Sequence, residues 1–525
     1  MGIINYAKNK IQKWLGIIPA QPRHMIIRES FTHEDYVLMN RVWYRADPSE
    51  LSQFYKHLGM WGTNDSRFWY VTPPTGKTIR KIHSGLPALM INMLTDITID
   101  DSLGVELTEK EKDKPGGDGH TQEEIDLWNE IQKDNSLSKV IKDATRDTLV
   151  DGDGAFKISI DSDISEYPIV EFYSGSKVDY VYKRGRLIEV QFKTNYYDEK
   201  NKEYILVEKY GKGSIKYELQ DDKGNKVDLN LLEETKDLVD VEYEGKFFMA
   251  VPLMFFESSK YKNRGQSIID GKYDNFDALD EIISQWLDAI RLGRAEKFVP
   301  EELLPRDAEG NKLPFNPITN QFYKLNQSMN EDDEQKPTTI QPTIESERFL
   351  LSYTQFLDLC LMGLLAPSTL GIDVKKLDNG EAQREKEKTT MYTRNKLISA
   401  LEKAIPVLVD LVLKTYDTMS KNAPGEYKAT IEFGEYNNPS FEAVVETVGK
   451  AKQYQIMSTE EAVEQMYGDT KSDEEKELEV QRIKDENSFA QDNGQFGGMD
   501  NFFEEDIEND DEDKKREEEE PGADK

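Results

Sequence analysis

Three long stretches in the second half of the chain repeat apolar residues every three or four positions, and a proline-rich interval separates the first two. The first carries Ile269, Tyr273, Phe276, Leu279, Ile283, Trp286 and Ile290 after Ser267, which reads as its N-cap. The second runs from about Glu345 to Leu365 with Phe349, Tyr353, Phe356 and Cys360 on one stripe, and Pro367 forces its end. Residues 298–342 between them hold six prolines and one strand-like piece, Gln321 to Leu325. The third and longest stretch presents Ile398, Leu401, Ile405, Leu408, Val412, Tyr416 and Met419, with Pro406 expected to kink it. Two helices joined by a stiffened insertion, followed by a longer helix, leave few fold classes open.

What precedes them has a different texture. Residues 3–18 place Ile3, Ile4, Ala7, Ile11, Trp14 and Leu15 at helical spacing with lysines between, the pattern of a short amphipathic helix. Mixed helix and turn follow to about residue 150, interrupted by a Gly-, Asp- and Lys-rich loop from Lys112 to His120. From Ala155 to Phe256 short runs rich in Val, Ile, Tyr and Phe alternate with turn signals such as Asp222-Lys223-Gly224-Asn225, which predicts antiparallel strands. A strand-like piece at Lys428 to Phe433 and short helices from Ser440 to about Glu486 close the ordered part, so the fold class is α+β. At 525 residues the chain is long enough for three or four structural units.

The charge is strongly acidic, 101 Asp and Glu against 67 Lys and Arg for a formal net charge of −34. Such a balance repels duplex DNA and argues against tight non-specific binding to it. Residues 504–525 contribute 13 acidic against 4 basic residues and read as a disordered tail. The lone cysteine, Cys360, has no disulfide partner in the chain and sits in an apolar run, where it packs as a small hydrophobe. No apolar stretch reaches the ~18 residues needed for a membrane span, no signal-peptide core follows Met1, and Tyr6 stands where myristoylation wants Ser or Thr.

Catalytic and metal signatures fail one by one. Pro74-Thr75-Gly76-Lys77-Thr78 has Val71 where a phosphate loop needs its first glycine. Asp151-Gly152-Asp153-Gly154 places Ala155 where a calcium loop needs an oxygen ligand, and reads better as a tight turn before a strand. His24, His33, His57, His83 and His120 show no zinc spacing. Gly265-Gln266-Ser267-Ile268-Ile269 lacks the second glycine of a nucleophile elbow. The chain is therefore expected to be no enzyme and to need no cofactor or metal.

The order of these parts resembles the portal family of tailed bacteriophages, the head-to-tail connectors. The likeness rests on Gly265-Gln266-Ser267 leading into Asp277-Ala278-Leu279-Asp280-Glu281-Ile282-Ile283-Ser284, on Asn379-Gly380-Glu381-Ala382, and on Ala462-Val463-Glu464 followed by Asp473-Glu474-Glu475-Lys476. Together these span roughly residues 30–495. The resemblance implies a wing over 1–265, stem helices over 266–297 and 343–365, and a clip over 298–342. It further implies a tunnel loop over 366–380, a long kinked wing helix over 381–424, a helical crown over 425–495 and an acidic tail over 496–525.

Members of that family form rings, usually of twelve subunits, at one capsid vertex of the virion after assembly in the host cytoplasm. The ring passes double-stranded DNA without sequence specificity. Its partners in the family are the terminase large subunit, then a head–tail adaptor, together with the major capsid and scaffolding proteins; none is a membrane. On this resemblance Lys375 and Lys376 of the tunnel loop are the cationic contacts to DNA, offset by Asp373 and Asp378. Arg291, Arg294 and Lys297, at i, i+3 and i+6 of one helix, either line the channel or pair with a neighbour's carboxylates, the second being the favoured use. The competing expectation is an acidic soluble scaffold or binding protein that uses the same helices for a private core and has no channel.

Overall fold

A computed structural model describes residues 31–59, 67–71, 79–100, 103–108, 119–293, 296–300, 322–325, 338–340, 343–372, 380–434, 441–454, 456–467 and 473–492. The amphipathic segment at 3–18, most of the Lys112 to His120 loop, the Pro74 to Thr78 motif and the acidic tail lie outside the described residues. The chain is mixed α+β and divides into two compact units, 1–434 and 435–525.

In the first unit, helix α1 (His33–Arg45) starts in a capping box between Thr32 and Asp35 and buries Tyr36, Val37, Asn40 and Trp43 on one face. Helices α2 (Pro48–Gly59) and α3 (Leu86–Thr98) pack with it. Strand β1 (Gly104–Leu107) precedes α4 (Gln122–Asn135), which a second capping box at Thr121 and Glu124 opens, and α5 (Leu137–Asp151).

The β-rich lobe expected from Ala155 to Phe256 is present as two antiparallel sheets. One has the order β10 (Ala250–Met254), β2 (Asp153–Ser159), β3 (Ile169–Ser174). The other runs β4 (Val178–Lys183), β5 (Arg186–Tyr197), β6 (Glu203–Gly211), β7 (Ser214–Asp221), β8 (Lys226–Val227), with β9 (Val241–Glu242) also on β7. In β5 the period of two is visible in Val190 and Phe192, which point inward and are fully buried. The β4–β5 hairpin turns through Arg184 and Gly185 at φ 53° and 76°, the paired left-handed conformation of a type I′ turn.

Helix α6 (Tyr273–Leu292) and helix α7 (Ser346–Leu361) form an antiparallel hairpin. Lys272 Nζ, at the base of α6, donates to the carbonyls of Leu359 and Met362 at the end of α7. At the far end, a Cβ on Gly293 would lie 2.4 Å from Ile344 Cγ1, just before α7 begins. Among the described residues, the insertion between them holds three strands: β11 (Glu296–Pro300) pairs parallel with β12 (Phe322–Leu325) and antiparallel with β13 (Thr338–Ile340). Only β12 was visible in the sequence.

Three expectations need correction here. The first long helix starts at Tyr273 and not after Ser267, whose hydroxyl instead donates to the Leu149 carbonyl at 3.0 Å. It stops at Leu292, where Gly293 caps it, so Arg291 is in its last turn while Lys297 lies on β11. Arg294 falls outside the described residues. The single stripe Arg291, Arg294, Lys297 on one helix is therefore not formed. The second helix ends at Leu361, ahead of Pro367, with Gly363 at φ 80° just beyond; Pro367 instead opens a short 3₁₀ turn, Pro367–Leu370.

Helix α8 (Gly380–Met419) is continuous through Pro406. Leu397 joins a helical core around Trp43, Trp69 and Phe276, whereas Leu401 to Leu413 belong to a second core beneath the sheets. Strand β14 (Ala429–Glu432) returns to pair antiparallel with β1. The second unit contains α9 (Phe441–Gln453), α10 (Thr459–Tyr467) and α11 (Asp473–Asp492). Ala462 and Val463 are buried there, and Glu464 pairs with Lys476 at 2.9 Å, tying α10 to α11.

Candidate functional site

Helix α6 divides into two halves with different surroundings. Its first three turns bury Phe276, Asp277, Leu279, Asp280 and Ser284, the last at residue 284. Asp277, Asp280 and Ser284 stand at i, i+3 and i+7, one face of the helix. That face carries a dense set of hydrogen bonds. The Asp277 carboxylate accepts from the Phe68 and Trp69 amides at 2.8 and 3.2 Å. Asp280 accepts from the Ser84 amide at 2.8 Å and from Trp69 Nε1 at 3.1 Å, and lies 2.5 Å from His83 Nδ1. Ser284 Oγ accepts from the Ile82 amide at 2.9 Å and donates to the Asp280 carbonyl at 2.7 Å. Burial raises the Asp277 carboxyl above its ordinary range, and the two amide donors offset part of that rise. The face thus fixes the root of the hairpin to the helical core through otherwise costly buried carboxylates.

A second buried knot lies immediately before α6. Arg264 Nη2 donates to Asp153 Oδ1 at 3.0 Å and to the Gly175 carbonyl at 2.6 Å, while Nη1 donates to the Val178 carbonyl at 2.7 Å. Asp153 Oδ2 also accepts from the Gly265 amide at 2.7 Å. Burial pushes the Asp153 carboxyl up to about 6 despite the guanidinium beside it. Gly265 is required by space: a Cβ there would sit 2.0 Å from the carbonyl oxygen of Gly152. Next door, Arg41 Nη2 reaches Asp151 Oδ2 at 2.7 Å and Nε reaches Oδ1 at 2.9 Å. The tight turn expected at Asp151 to Gly154 is the junction of α5 and β2, and both its aspartates hold arginines. The Gly-Gln-Ser motif is thus a backbone crossing, and the buried Ser267 hydroxyl donates to the Leu149 carbonyl.

Beyond Ser284 and before Thr354, neither helix of the hairpin has a fully buried residue. Trp286 and Phe349 stack across the hairpin, centroids 6.0 Å apart and planes 4° from parallel. Four aliphatic side chains there face outward: Ile290 is 47% exposed, Leu292 55%, Leu350 50% and Leu351 58%. Four large aliphatic residues on one protruding hairpin exceed the scattered exposure of an ordinary surface.

The turn after α7 is anchored to α8. Thr390 Oγ accepts from the Ala366 amide at 3.0 Å, and Thr393 Oγ donates to the Leu364 carbonyl at 2.7 Å. Asp373, Lys375, Lys376 and Asp378 lie outside the described residues. Burial drives the Cys360 thiol up to about 12, so it packs against its neighbours as an unreactive group. Sequence reasoning missed the roles of Asp277, Asp280, Asp153 and Arg264, since nothing separates a buried carboxylate from the many solvated ones until the helix face is known.

Among the described residues, no group of three or more His, Cys, Asp and Glu side chains is arranged to hold a metal ion. No helix there is long and apolar enough to cross a membrane. Comparison with models of known protein families and with curated proteins finds no match to the chain.

Proposed function

We propose that the chain is a portal-type subunit, a structural protein that assembles into a ring at one capsid vertex and gives double-stranded DNA a path in and out. The observation that carries this reading is the protruding α6–α7 hairpin, rooted by Asp277, Asp280 and Ser284 and carrying the exposed aliphatic side chains Ile290, Leu292, Leu350 and Leu351. Side-by-side packing of such hairpins from neighbouring copies buries Ile290, Leu292, Leu350 and Leu351, and a head-to-tail interface that closes produces a ring. In this reading the three-stranded insertion at the hairpin tip is the rim that docks the terminase large subunit and later a head–tail adaptor. Capsid and scaffolding proteins meet other surfaces, and the ATPase resides in the terminase. The acidic composition fits a wall along which a polyanion slides, because a basic wall holds phosphates in deep wells. Lys375 and Lys376 supply the few cationic contacts, with Asp373 and Asp378 beside them.

Native mass spectrometry with negative-stain class averages of the full chain tests the reading. A closed ring with a central hole supports it. A stable monomer or dimer across a range of salt favours the acidic binding protein without a channel.

A further inference from the structure

A cleft of about 1240 Å³ opens in the β-lobe, lined by residues of β2, β3, β5, β6 and β7 and by Thr418 and Met419 at the C-terminus of α8. Its size is in the range of ligand sites. Five tyrosines line it: Tyr173, Tyr196, Tyr210, Tyr217 and Tyr243. The charged lining is unequal, with Asp161, Glu171, Glu208, Glu242 and Glu244 against Lys157 and Lys421.

On the floor, the ammonium of Lys157 sits 2.6 Å from Glu208, 3.5 Å from Glu171 and 5.1 Å from the centre of the Tyr173 ring. One cation is thus already held between a π face and carboxylates, and the cleft has room for more than that one group. Glu208 also raises the hydroxyl pKa of Tyr196, Tyr210 and Tyr217, after burial itself, which places its charge among three of the rings. The end of α8 adds the partial negative charge of its last carbonyls. An anion meets more carboxylates than lysines here, and a neutral apolar ligand leaves those carboxylates facing it.

We propose that this cleft binds an organic cation, an ammonium or guanidinium group seated on the tyrosine faces with Glu171 and Glu208 as counter-charges. Its source is either a free amine or a Lys or Arg side chain of a partner segment. Neither the ring nor the channel is needed for this inference.

The test is calorimetric titration of the full chain, in 0.3 M salt to suppress general attraction to an acidic surface, with three probes: 1,5-diaminopentane, a short arginine-containing peptide and uncharged 1,5-pentanediol. The expected result is saturable binding of one or both cations and none of the diol. Tyr217→Leu and Glu171→Gln should each weaken it about fivefold to tenfold, the effect of one partly desolvated cation–π or charge contact. Thermal melts of both variants check that the fold is retained, and Glu171 is partly exposed, so its change leaves the core intact. Tighter diamine identifies a small-molecule site and tighter peptide a side-chain site, and either supports the proposal. Equal binding of the diol, cation binding unmoved by both variants, or no cation binding at millimolar concentration overturns it.

Discussion

Arg264 holds together more of the first unit than any one of its hydrogen bonds indicates. It neutralises Asp153, which is fully buried, and satisfies the carbonyls of Gly175 and Val178 between two sheets. Arg264→Met should destabilise the fold by about 3–5 kcal/mol, the cost of leaving a buried carboxylate unpaired. Arg264→Lys should recover only part, because an ammonium cannot reproduce the fork. Urea midpoints measure both, and a loss under about 1 kcal/mol for the methionine variant refutes the assignment.

His33 packs edge-on against Tyr261, the ring planes 87° apart, and its Nε2 accepts from Arg264 Nε at 3.2 Å. Burial, then the adjacent guanidinium, holds its imidazole at about 3 against an ordinary 6.5. Between those values the unfolded chain binds a proton that the folded chain refuses. The stability contributed by a neutral ring is thus complete above pH 6.5 and lost as pH falls toward 3. Because the ring is partly exposed, about 1–2 kcal/mol should disappear between pH 6.5 and 4.5. In His33→Gln that part of the pH slope should vanish from equilibrium unfolding curves.

Among the elements, the hairpin formed by α6 and α7 is the proposed site of assembly. Ile290→Ser combined with Leu351→Ser removes exposed apolar area from both helices and leaves the root at Asp277 and Asp280 untouched. The expected outcome is an unchanged monomer melt with assembly shifted to at least tenfold higher protein concentration, read by analytical ultracentrifugation. Unaltered assembly assigns the hairpin surface another use. The helices themselves were legible because their three-to-four spacing survives in the sequence, from Phe276 to Trp286 and from Leu401 to Val412. Their ends were not. Ser267 looks like an N-cap, but its hydroxyl is taken by the Leu149 carbonyl, a partner 118 residues away. Strands β11 and β13 were hidden because pairing with distant segments rather than local alternation makes them strands.

For the whole molecule, charge governs encounters with nucleic acid. With a net charge of −34, the purified protein should not retard duplex DNA at 150 mM salt, and fluorescence anisotropy of a labelled duplex should stay flat to micromolar protein. Salt-dependent retention instead requires a basic surface that the composition hides. The α+β class and the order of the main helices and strands were readable from the sequence because periodicity and proline content are local. The pairs Arg41–Asp151, Arg264–Asp153 and His83–Asp280, each with a buried carboxylate, join residues more than a hundred positions apart and have no local signature.

Helix α8 spans about 60 Å, at 1.5 Å per residue, and is set into two of the hydrophobic cores of the first unit. Leu397 lies in one core and Leu401 in the other, one helical turn apart. Neither core can melt while the other keeps that turn wound, so loss of one exposes the other's share of the helix. The first unit should therefore unfold as one cooperative block, and amide exchange in α3 and in β5 should report the same opening free energy.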